Sequence, residues 1–115
     1  MLVTPEVGKK VFYNDISDAE AEYWASQLLP HSLAAYFGVI TYAAWKHIPS
    51  TYLLGLQDQS SLTVPVLEGM IKGAQMLEPP AFDVIERCDA GHCFMISRPE
   101  WTADAIRRAA GEKTL

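Results

Sequence analysis

The chain has 115 residues, half of them hydrophobic and a fifth charged, with a formal net charge of −5. That is enough for one small domain with a core of limited size. The acidic balance argues against non-specific attraction to nucleic acid or to an anionic membrane surface, so neither is expected as a partner.

The longest apolar stretch, Leu33 to Trp45, is interrupted by Gly38 and Thr41 and is too short to span a bilayer. Cys88 and Cys93 make neither a disulfide framework nor a metal-ligand spacing. No metal and no cofactor are expected. The N-terminus carries no signal-peptide pattern, so the expected setting is the cytoplasm, where thiols stay reduced.

In chain order, residues 1–13 carry no clear signal and are expected to be a loose or extended lead-in. Ser17-Asp18-Ala19-Glu20 fits a capping box, in which the hydroxyl and the carboxylate each take a free backbone N–H. Ala21, Trp24, Ala25 and Leu28 follow at i, i+3, i+4 and i+7, predicting a helix to about Leu29. Pro30 ends it. Ser32 can cap a second helix running to about Lys46, apolar on nearly every side and therefore expected to be buried.

Thr51-Tyr52-Leu53-Leu54-Gly55-Leu56, bounded by Pro49 and Asp58, reads as a strand buried on both faces. A helix is expected from about Val64 to Met76, with Leu67, Met70, Ile71 and Ala74 on one face, stopped by Glu78-Pro79-Pro80. Phe82 to Cys88 reads as a second strand, and Asp89-Ala90-Gly91-His92 as a turn-prone loop. Ser97-Arg98-Pro99-Glu100 fits a second capping box opening a last helix to about Ala110, ended by Gly111.

Strand, helix and strand make a right-handed βαβ unit with parallel strands. A parallel pair alone is too little sheet to be stable, so an open apolar edge is expected to be completed by another chain or copy.

In an open parallel sheet, ligands bind beyond the carboxyl ends of the strands. Asp58 follows the first strand and His92 the second, so both loops lie at the same end. A carboxylate that orients a histidine and stabilises its imidazolium, beside a histidine that moves protons near neutral pH, is the acid-and-base part of a triad. Asp89, three residues before the histidine, is expected to cap the loop instead. His31 and His47 lack partners at ligand spacing and are expected to be solvated or capping. Cys93 follows His92 directly and is expected to be an inert thiol. Trp24, Tyr36 and Phe37 are the candidates to line a substrate pocket, with ordinary packing the alternative for each.

The segment Ile48-Pro49-Ser50-Thr51-Tyr52-Leu53-Leu54-Gly55-Leu56-Gln57-Asp58 resembles the α/β-hydrolase segment that ends in the triad acid. Cys88-Asp89-Ala90-Gly91-His92-Cys93-Phe94-Met95-Ile96-Ser97-Arg98-Pro99-Glu100 resembles the one holding the triad histidine, in the branch related to plant methylesterases and hydroxynitrile lyases. The acid-then-histidine order agrees. This resemblance implies an α/β fold: residues 47–115 as the C-terminal βαβα portion of a hydrolase, and residues 1–46 as a lead-in with two helices left from the cap. It implies catalytic roles for Asp58 and His92, and a small apolar ester or carbonyl compound as substrate.

Such enzymes carry their nucleophile in G-x-S-x-G, and none of Ser17, Ser26, Ser32, Ser50, Ser60, Ser61 or Ser97 stands in that setting. The expectation is therefore a hydrolase segment whose nucleophile is missing or supplied in trans, poor at ester hydrolysis on its own. Two alternatives stand beside it: a repurposed module binding a small apolar ligand or a partner, and a protein using His92 as a lone acid/base for an isomerase, cyclase or lyase step.

Overall fold

The first helix, α1 (Pro5–Phe12), stands where the sequence predicts a loose lead-in. Its start is local chemistry: Thr4 Oγ1 accepts the Val7 N–H at 3.4 Å, and Pro5 occupies a first-turn position where no N–H is needed. Val7, Val11 and Gly8 are weak helix formers, which hides the helix from a propensity reading. Packing against α2 (Asp18–Ser26) compensates, with Lys9 Nζ 2.7 Å from Asp18 Oδ1. At the start of α2, Ser17 Oγ takes the Glu20 N–H as expected. The Glu20 carboxylate turns to the Ser17 hydroxyl at 2.6 Å rather than to a backbone N–H.

The expected long second helix does not form. α3 covers only Leu33–Phe37, the chain is extended at Gly38, and a single 3-10 turn follows at Ala44–Lys46. Ser32 makes no side-chain cap, and every residue from 29 to 42 is exposed. Helices draw most of their stability from a packed face, and none of the residues of this one is buried. The β-branched run Val39-Ile40-Thr41 also disfavours continuation.

Strand β1 (Thr51–Gly55) crosses through α4 (Val64–Gln75) to β2 (Val84–Cys88). The strands pair in parallel, Thr51 opposite Val84 and Gly55 opposite Cys88, as a two-stranded sheet. The architecture is thus α/β. Burial along β1 is uneven: Thr51 to Leu53 are half-buried, and only Leu54 and Gly55 are fully covered. Leu67 and Ile71 of α4 close over Leu54, with Tyr52 and Ile85 at the margin. Arg87 of β2 grips Glu68 of α4 through two 2.7 Å bonds.

After β2 come α5 (Phe94–Ser97) and α6 (Pro99–Ala109). The second capping box is not made. Ser97 is already helical and Arg98 takes the cap position, leaving Ser97 Oγ buried without a hydrogen-bond partner among the described residues. A second small core, Tyr13, Ala21 and Ala25, gathers Phe12, Ile16, Leu28, Cys93 and Ile96, and so ties α1 and α2 to the segment after β2.

The structure, a computed structural model, describes residues 2–113. Met1, Thr114 and Leu115, the outermost residues of the two expected segments, lie outside the described residues. No helix among the described residues is long and apolar enough to cross a membrane.

Candidate active site

Because β1 and β2 run parallel, their carboxyl ends open side by side, and the pairing continues past both strands. Leu56 N–H donates to the Cys88 carbonyl and Gln57 N–H to the Ala90 carbonyl, each at 2.8 Å. Gly55 makes this approach possible, since a Cβ there would collide with the carbonyl oxygens of Ala90 and Gly91.

Asp58 and His92 meet at this junction. His92 Nδ1 lies 2.8 Å from Asp58 Oδ2, while Asp58 Oδ1 accepts the Ser60 N–H at 2.7 Å. The Asp58 side chain is 8% exposed and that of His92 43%, so the carboxylate is sunk and the imidazole is presented. Burial by itself would raise the Asp58 pKa. The hydrogen bonds from His92 and Ser60 together outweigh it and hold the carboxyl below its ordinary range. An ionised carboxylate only accepts, so Nδ1 carries the proton and donates it. That leaves Nε2 as the ring nitrogen directed away from the acid.

The pair sits on a cleft of about 710 Å³ whose walls are mainly apolar, with Val7, Val11 and Phe12 from α1, Leu53 and Leu54 from β1, and Phe94 and Met95 from α5. The Phe12 ring lies against the His92 imidazole, centroids 5.2 Å apart. Of the three aromatic candidates, Tyr36 lines this cleft. Trp24 lies outside it, edge-on to Tyr23, and Phe37 is 77% exposed and outside it as well.

Asp89 engages Gln57 rather than the histidine, its Oδ1 accepting from Gln57 Nε2 at 2.6 Å. His31 Nδ1 lies 3.0 Å from the Ser32 carbonyl, and the His47 ring stacks on Tyr42. Both cysteines are free, and burial pushes both thiols up, away from the reactive thiolate. Among the described residues no group of three or more His, Cys, Asp or Glu side chains could hold a metal ion.

Sequence reasoning missed the α1 wall of the cleft. Thr4-Pro5-Glu6, a helix start ahead of valines spaced four apart, was the available signal.

The alpha/beta hydrolase family matches residues 2–105, and the chain belongs to that family. It is 35% identical over 104 residues to the alpha/beta hydrolase nvfD of Aspergillus novofumigatus (strain IBT 16806). The match takes in 90% of this chain and 39% of that relative, so the chain spans well under half the relative's length. No solved structure gives a significant match.

Proposed function

We propose that Asp58 and His92 are the acid and histidine of a serine-hydrolase triad acting on a small apolar ester or related carbonyl compound. The nucleophile is supplied by a segment outside this sequence or by a partner chain. The observation that carries the reading is the 2.8 Å bond between His92 Nδ1 and Asp58 Oδ2 at the ends of two parallel strands, beside an apolar cleft.

With Nδ1–H held by Asp58, Nε2 is the base that takes the serine proton, and the carboxylate stabilises the imidazolium that forms. The same proton then passes to the leaving alcohol, and the second half of the cycle repeats the transfers with water. The apolar walls suit an uncharged substrate and strengthen each charge interaction inside the cleft. Completion of the two-stranded sheet by another chain or copy, in the cytoplasm, belongs to the same proposal.

A second reading rests on the imidazole itself, 43% accessible at the cleft and hydrogen-bonded to Asp58 within this chain alone. In it, the same histidine acts without a nucleophile, as the acid/base of an isomerase, cyclase or lyase step.

Fluorophosphonate labelling tests the first reading. The purified 115-residue chain is expected to stay unlabelled, and the enzyme assembled in its native extract to show a serine label that depends on His92. Labelling of the isolated chain that vanishes in His92→Ala would place the nucleophile within this sequence. No His92-dependent label in either preparation would favour the second reading.

A further inference from the structure

The turn between α1 and α2 reaches across to both loops of the candidate pair. Asn14 Nδ2 donates to the Gln57 carbonyl at 2.9 Å, one residue before Asp58. Asp15 Oδ2 accepts the Gly91 N–H at 2.6 Å, one residue before His92. One turn therefore holds the acid's loop with one side chain and the histidine's loop with the next, across 43 and 76 residues of sequence respectively.

We propose that Asn14 and Asp15 are positioning residues that set the distance between Asp58 and His92, an inference that rests on the triad reading above. The remaining oxygens of the two side chains also face the histidine loop. Asn14 Oδ1 and Asp15 Oδ1 are both buried without a hydrogen-bond partner among the described residues. Both oxygens crowd the Gly91 backbone so closely that a Cβ at Gly91 would collide with them.

The bond to Gly91 is charge-assisted, a carboxylate taking a backbone N–H, which is the stronger class of hydrogen bond. Backbone at residue 91 sets where the His92 Cα stands, and so whether Nδ1 reaches Asp58. Tyr13, beside this turn, packs in the core with Cys93, the residue following the histidine. The turn and the histidine loop are thus joined both by a hydrogen bond and by packing.

The test uses the isotopically labelled 115-residue chain and two nuclear magnetic resonance signals: exchange of the Gly91 amide proton, and the hydrogen-bonded Nδ1–H proton of His92. Asp15→Ala is expected to speed Gly91 exchange by at least about tenfold, as loss of one charge-assisted hydrogen bond implies, and to remove the His92 Nδ1–H signal while the melting transition persists. Asp15→Asn keeps an acceptor oxygen in the same place and is expected to restore both signals.

Asn14→Ala, which removes a bond to an exposed carbonyl and so leaves the fold intact if Asp15→Ala does not, is expected to weaken the His92 signal. An unchanged His92 signal in either alanine variant overturns the proposal. Failure of the underlying pair looks different. The wild-type chain would then show no Nδ1–H signal that Asp58→Asn abolishes, and slow Gly91 exchange alone would not rescue a positioning role.

Discussion

Residues 29–42 and residues 51–58 are both rich in large apolar side chains, yet the molecule treats them in opposite ways. The first stretch is exposed throughout, with Val39 87% and Ile40 74% accessible. The second buries Leu54 to 2%, pairs its backbone with β2, and ends in an aspartate hydrogen-bonded on both oxygens. Apolar content sets what a segment can bury. Whether it does so depends on a partner surface, and β1 has α4 and β2, whereas α3 has neither.

The sharpest way to break this comparison is chemical. On the triad reading proposed above, Asp58→Asn is expected to lower kcat of the assembled enzyme by about 10⁴-fold and His92→Ala by about 10⁶-fold, the losses seen for the acid and the histidine of other triads. Phe37→Ala, outside the cleft, is expected to change it less than about twofold, within the range of a neutral surface substitution. Steady-state kinetics on one ester substrate would separate the two regions, and equal losses from His92 and Phe37 variants would erase the distinction.

Next in size is stability. Leu54→Ala removes the largest fully buried side chain and is expected to cost about 2–4 kcal/mol in urea unfolding. Ile40→Ala is expected to stay within about 0.5 kcal/mol. Comparable midpoints for the two variants would mean that residues 29–42 are covered in solution.

A smaller effect concerns pH. The folded-state pKa of Asp58 is lowered, so its contribution to stability is present above the ordinary carboxylate pKa. That contribution is lost as pH falls through the folded value. Acid unfolding followed by circular dichroism is expected to show this loss in the wild type and to lack it in Asp58→Asn. An identical acid transition in both would mean that the bond to His92 does not persist in solution.

The smallest expected change is in size rather than energy. Light scattering on the purified chain is expected to give a mass above that of a monomer, because the β1–β2 sheet is too narrow to be covered by itself. A well-behaved monomer would remove the case for a partner completing the sheet.

Much of the fold was legible before any coordinates. Short apolar runs bounded by proline and aspartate marked β1 and β2, and regular spacing of Leu67 and Ile71 marked α4. Pro99 and Gly111 bracketed α6. These signals are local, carried by residues a few positions apart. The pairing of Asp58 with His92 was legible as well, because parallel strands must bring their carboxyl ends together.

Tertiary structure alone decided the rest. The second helix shrank to five residues, none of them buried. α1 formed despite weak propensities because α2 lies against it. Tyr36 came to the cleft while its neighbour Phe37 turned outward. Asn14 and Asp15 looked like ordinary turn residues, and only folding carried them to Gln57 and Gly91. Composition and spacing record what each segment can do by itself; contacts across 40 to 80 residues depend on which surfaces the whole chain brings together, and no local pattern encodes them.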